Sequence, residues 1–324
     1  MMVSQVRRAL AMGVVGLVST GSVLAASAQA ALPQTYEHHV VARQQQTDVD
    51  WSAVEQALGK SGTMMPGNVF RIGMPRSDLN VSVESVPVKA NFALGSYAAF
   101  KPIDDGSGMA MVMGDLVLRD EEVPGVMTDL FGNGLQVTAL HNHLNQITPH
   151  IMYMHYEGMG DPVQLATALH GALSGSGTPL GNSPPSAPYA GPQLDTAALQ
   201  GILGRSGNKM DNGVLAVGVP RAEKITENGM ELPPAMGTAI AINFQPTDGS
   251  NAAVTGDFVL VADEVNPVAN TLRANGIQVT ALHNHALGDQ PRLFYMHFWA
   301  NGDPTQLATG LRAALDQVNA APPS

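Results

Sequence analysis

The 324 residues contain no cysteine. That excludes disulfides, thiolate metal sites, cysteine nucleophiles and lipid attachment through an N-terminal cysteine. Basic residues are scarce, with 16 Lys and Arg against 27 Asp and Glu and a net charge of −11. A chain so acidic repels phosphate backbones, so nucleic acid is not an expected partner. The literal His-Asn-His triplets do not change this, because nucleases known by those letters spread the residues over a longer motif. The sequence has no P-loop, no Rossmann glycine fingerprint and no Gly-x-Ser-x-Gly nucleophile elbow; "FGNG" reads as a helix end and turn.

Long apolar runs are missing as well. The nearest approach is "AMGVVGLVSTGSVLA", interrupted by Ser19, Thr20, Gly21 and Ser22. It follows Arg7 and Arg8 and precedes Ala28-Gln29-Ala30, the pattern of a secretory signal peptide over 1–30, not of a membrane span. Cleavage near Ala30 removes two positive charges and takes the net charge from −11 to −13. The expected product is periplasmic or secreted. Residues 31–45, including His38 and His39, read as a mobile start. With 44% hydrophobic and 13% charged residues, the remainder can build cores and is not a disordered solvating chain.

What is present is one unit written twice. "GLQVTALHNH" recurs as "GIQVTALHNH", "MVMGDLVLRDEEVPGVM" aligns with "AVTGDFVLVADEVNPVA", and "GDPVQLATALHGAL" with "GDPTQLATGLRAAL", all at an offset of 142. "VFRIGMPRSDL" matches "LAVGVPRAEKI" at 145. Gly, Ser and Pro dominate 174–193, a linker. The repeats are placed at 46–173 and 194–318, with a tail over 319–324. Within each, a capped amphipathic helix after Asp50, alternating strands, a helix with acidic residues in its first turn, and Asp-Pro helix starts at Asp161 and Asp303 alternate. This predicts a tandem α+β fold, each copy a mixed, mostly antiparallel sheet with packed helices and one parallel crossover from Gly114 to His143.

Three of the ten histidines recur at equal spacing in each copy, as His-x-His followed by a third: His141, His143 and His155, then His283, His285 and His297. Residues two apart in a strand share a face. A hairpin with His141 opposite His155 has an index sum of 296 and puts Val137, Ala139, His141, His143, Tyr153, His155 and Glu157 on one face; the second copy matches, with Val279 for Val137 and Trp299 for Glu157. Three imidazoles on one face form an open ligand set suited to zinc, which polarises carbonyls and activates water. Copper or another divalent metal is also compatible. A structural alternative has the histidines bonding to one another, to Tyr or to buried carboxylates. Glu157 is the candidate general base, or a solvated strand end. Arg76, Arg221 and Arg292 are candidates for binding an anionic substrate, with ion pairing the competing role for the first two. Asp115 and Asp257 suit either a turn or the orientation of an imidazole. Met109, Met111 and Met113 alternate along a strand, read mainly as core packing.

These motifs, above all "VTALHNH", "YMHFWANGDPTQLATGL" and "GDFVLVADEVNPV", resemble the LppY/LpqO family, exported bacterial proteins with a domain of unknown function often present as two tandem copies. The likeness covers nearly all of the chain beyond the leader. It departs where His150 stands in place of Arg292, in "EEVPGVM" against "EVNPV", and in lacking the lipoprotein cysteine of several members. It implies fold and location but no reaction. Acetolactate decarboxylase is similar in spacing alone, holding zinc by His-x-His and a third His across a hairpin, with Glu and Arg nearby, roles open to Glu157 and Arg76. The expected function is that of an exported zinc-dependent lyase or hydrolase acting on a small carbonyl or carboxylate compound. The alternatives are a non-catalytic zinc or copper binding protein, or an interaction module without metal.

Overall fold

Asp50 accepts hydrogen bonds from the backbone N–H groups of Ser52 and Ala53, and so starts α1 (Trp51–Leu58), which closes at left-handed Gly59. The computed structural model describes residues 49–182 and 189–323. The expected signal peptide, the N-terminal segment with His38 and His39, and the middle of the linker lie outside them.

The first repeat continues with β1 (Thr63–Met65), β2 (Val69–Pro75), β3 (Val81–Val83), β4 (Val86–Val88), α2 (Ala90–Ala93), β5 (Gly95–Pro102), β6 (Ala110–Arg119), α3 (Val123–Gly132), β7 (Gln136–His141), β8 (Ile147–Thr148), β9 (Ile151–Gly160) and α4 (Pro162–Ser174). The second has α5 (Thr196–Leu203), β10 (Asn208–Lys209), β11 (Leu215–Pro220), β12 (Thr226–Glu227), β13 (Met230–Glu231), β14 (Ala239–Pro246), β15 (Ala252–Leu260), α6 (Ala262–Ala274), β16 (Gln278–His283), β17 (Phe294–Gly302) and α7 (Pro304–Leu315). Each repeat forms a six-stranded sheet, ordered β1-β2-β5-β6-β9-β7 and β10-β11-β14-β15-β17-β16. Pairings within both sheets are antiparallel, so the α+β class holds. The crossover through α3 joins strands that run parallel to one another, but β9 lies between them.

Even-numbered residues of β6 and β9, such as Leu116 and Met154, pack under α1, α3 and α4 in one core. Odd-numbered Met111 and Met113, with Val69 and Ala99, enter a second core otherwise built from buried residues of the second repeat. A third core joins Val117 and Tyr153 to Ala253 and Trp299. Each sheet therefore carries helices on one face and meets the other repeat with its opposite face. The alternating methionines are packing residues at that junction, with Met109 exposed beyond it. α3 begins three residues later than the expected start at Asp120, so no acidic residue lies in its first turn: Glu122 stands at the N-cap, and its carboxylate turns away to Arg76.

Candidate metal centre

In each repeat one histidine ends the edge strand (His141, His283), one sits on its neighbour (His155, His297), and His143 and His285 lie two residues past the edge strand's end. His141 lies opposite Tyr153 and Ala139 opposite His155, an index sum of 294 where 296 was expected. Both sums are even, so His141 and His155 still share a face. Thr138 is a bulge residue, and before it the register shifts to Val137 opposite Tyr156. Val137 consequently lies on the helix-side face, contrary to simple alternation. Thr280 repeats the device, pairing Val279 with Phe298.

The bulges have a partner across the molecule. Thr138 Oγ1 donates to the carbonyl of His285, and Thr280 Oγ1 donates to that of His143 at 2.6 Å. Each bulged strand thus fixes the His-x-His segment of the other repeat. The six histidines consequently form one cluster, not two remote trios. Ring centroids are 3.5 Å apart for His141 and His283, 3.6 Å for His143 and His297, and 3.8 Å for His155 and His285. Every one of these closest pairs mixes the repeats. Tyr153 stacks on His143 at 3.4 Å and Tyr295 on His285 at 3.3 Å.

Ligand atoms of His141, His143, His283 and His297 all lie within 4.8 Å of one another, as do those of His155, His283 and His285. Asp115 forms a further group with His143 and His155. Buried ring nitrogens of His141, His143, His155, His283 and His297 have no hydrogen-bond partner, nor has Asp115 Oδ1. Buried polar atoms are almost always satisfied, and a cluster of exceptions calls for an ion or water. Burial, then neighbouring imidazoles, keeps these rings neutral: His141 is pushed down to about 2, while burial takes His283 down to about 4. Burial lowers His143, His155, His285 and His297 further. Neutral imidazole is the form that binds metal, and the donor set fits a borderline cation such as zinc.

Asp115 and Asp257 are not turn residues. They sit inside β6 and β15, directly across from His155 and His297. Asp115 Oδ2 is 3.9 Å from His143 Nε2. Burial raises the Asp115 carboxyl to about 8 and Asp257 to about 7. The glycine before each aspartate is a requirement of close approach, since a Cβ on Gly114 would collide with the Tyr97 carbonyl and one on Gly256 with that of Ala241.

A cavity of about 370 Å³ opens beside the cluster, lined by His143, His155, His285, His297, Asp115 and Asp257. Arg71 and Tyr97 also line it, with the guanidinium carbon 3.6 Å from the Tyr97 ring centroid. Arg71 is the arginine that sequence reasoning missed; its place on an alternating strand is the only hint, and the position carries Ala216 in the second repeat.

The other proposed residues lie elsewhere. Arg76 is wholly buried, its guanidinium bound to Glu122, Asp78 and the Val117 carbonyl. Arg221 repeats this with Glu264, Glu223 and the Val259 carbonyl. Arg292 clasps its own loop through Asp289 and the carbonyls of Ala286 and Leu287. The donors of Arg76 and Arg221 are occupied by structural partners, which removes their expected role toward a substrate; Arg292 spends Nη1 on its loop and does not line the cavity beside the histidines. Glu157 shares the strand face of His155 but joins none of the three ligand groups; it lines a separate cavity with Glu227. The expectation of a base beside the metal does not match that position.

A family model for a domain of unknown function matches twice, at residues 52–175 and 197–317. The chain belongs to the Domain of Unknown Function (DUF1259) family. Its two matches coincide with the two sheets and divide the six clustered histidines three and three. No curated protein matches the sequence. Among solved structures, the trimeric bacterial microcompartment shell protein PduB aligns over 80% of this chain and 91% of its own, at 10% identity and a TM-score of 0.22. A likeness that low carries no argument.

Proposed function

We propose that this family member is an exported, LppY/LpqO-like metalloprotein whose shared histidine centre binds zinc and acts as a lyase or hydrolase on a small carboxylate-bearing carbonyl compound. The observation that carries the reading is the set of partnerless, buried imidazole nitrogens drawn from both repeats beside an open cavity. His143 with His297, and His155 with His285, would hold metal, with His141 and His283 between them. Zinc bound there supplies Lewis acidity toward a carbonyl. Arg71 offers the charge that anchors a substrate carboxylate, and Tyr97, pushed up to about 12 by burial, stays protonated as a hydrogen-bond donor. Asp115, across from His155, is placed to orient the imidazoles or to exchange a proton in the cavity.

A non-catalytic zinc or copper carrier is the second reading, favoured by how deeply the ligands are buried. The metal-free alternative has little support, because histidines kept as internal hydrogen-bond partners would not leave so many ring nitrogens unpaired. Elemental analysis of the purified protein, followed by a turnover screen over small keto acids, hydroxy acids and their esters, tests the proposal. Bound zinc with turnover that falls at least about tenfold in Arg71→Ala is expected; zinc without turnover selects the carrier, and no metal after reconstitution removes both.

A further inference from the structure

The two repeats differ at the place where a hairpin tip of one meets the last β-strands of the other. On one side, Glu84 from the β3–β4 turn accepts hydrogen bonds from the Trp299 indole at 3.1 Å and the Gln278 side-chain amide at 2.9 Å. Its carboxylate therefore meets neutral donors. On the other side, Glu157 replaces Trp299 and Gln136 replaces Gln278. The β12–β13 tip approaches them with Glu227 and Asn228, and all four residues line a cavity of about 470 Å³.

Here a carboxylate meets a carboxylate. Glu157 is 7% exposed and Glu227 1%, and the Oε2 atom of each lacks any hydrogen-bond partner. Glu227 Oε1 accepts from the Gly288 backbone N–H at 3.0 Å, so the hairpin carboxylate is held in place. Among the described residues neither glutamate has a basic side chain paired to it. Arg292, the nearest candidate in the following loop, is committed to Asp289. Burying two carboxylates with unsatisfied oxygens and no cation is costly.

We propose that this cavity is a calcium site joining the two repeats, separate from the histidine centre. Glu157 and Glu227 are its charged ligands, and the side-chain amide oxygens of Gln136 and Asn228 complete an all-oxygen set. Calcium accepts six to eight oxygens in irregular arrangements, which suits ligands drawn from a strand and a turn; magnesium demands a stricter octahedron. The Trp299 side cannot take an ion, because its single carboxylate is already satisfied. The inference does not depend on the zinc reading.

Isothermal titration of calcium chloride into the full-length protein as purified tests it. One saturable event per chain is expected, with the melting temperature rising in calcium. Glu157→Gln and Glu227→Gln, close to isosteric, should each weaken calcium binding at least tenfold, whereas His143→Ala should retain it. If a variant is too poorly folded to titrate, the melting shift of the wild type on adding calcium against magnesium remains decisive. Absence of binding at millimolar calcium, unchanged affinity in both glutamine variants, or loss in His143→Ala would overturn the proposal. A proton uptake or release that follows both glutamates without any calcium effect would instead identify a proton-sharing pair.

Discussion

The imidazoles of His143 and His297 lie 3.6 Å apart between ring centroids, although they belong to different repeats. Sequence order would pair each with the histidines of its own hairpin. The interface between the sheets pairs them with one another, which makes the duplication a requirement of the centre and not a second copy of it.

The threonine bulges hold that arrangement. Thr138→Val removes the hydrogen bond to the His285 carbonyl, and Thr280→Val removes the bond to His143. Each should cost about 1 kcal/mol of stability, measured by urea unfolding, and each should weaken zinc in a chelator competition. Because a residue of one repeat positions a histidine of the other, either substitution alone should affect ions bound by both.

Arg76 supports the first sheet. Its guanidinium is fully buried against Glu122 and Asp78. Arg76→Ala leaves the buried Glu122 charge without its partner and should destabilise the protein by about 3–5 kcal/mol. Urea unfolding measures that loss, and zinc content in the folded fraction should be unchanged.

Acid should expose the same pair. Burial raises the Glu122 carboxyl, but hydrogen bonds from Arg76 and from the backbone N–H groups of Arg119 and Gly177 outweigh it and hold the group at about 2, below its ordinary 4.5. A carboxyl depressed on folding adds stability that is fully present above 4.5 and is lost as pH falls toward 2. Melting temperatures between pH 6 and pH 2 should fall less steeply in Glu122→Gln than in the wild type.

Gly114 is a fixed point of a different kind. A methyl group there meets the Tyr97 carbonyl and the Tyr156 hydroxyl. Gly114→Ala should cost about 1–3 kcal/mol by overpacking, and it should displace the neighbouring Asp115. Thermal unfolding reads the first effect and turnover at unchanged zinc content the second.

Much of this was legible in the sequence. The period of two put His141 and His155 on one face, and any even index sum does so, so the shift from 296 to 294 did no harm; His143 lies past the end of β7, where strand alternation no longer applies. Asp50, Asp161 and Asp303 cap helices because carboxylates accept from free N–H groups at helix starts. The bulges at Thr138 and Thr280 left no sequence mark, since an extra residue in one strand shows only against its partner. Arg76 invited a ligand role by following a proline, but its partners Glu122 and Asp78 lie 46 and 2 residues away, and only folding shows that they use every face of the guanidinium. Repeat spacing locates histidines within a hairpin and says nothing of which faces of two hairpins meet; hence the expectation of two separate trios.

Zinc stoichiometry in paired alanine variants tests that most directly. If ions are shared across the repeats, the wild type should hold two, His143→Ala with His297→Ala should keep one, and His143→Ala with His155→Ala should keep none. The opposite pattern, with the His143 and His297 pair losing both ions and the His143 and His155 pair losing one, would return the histidines to two independent hairpins and contradict a shared centre.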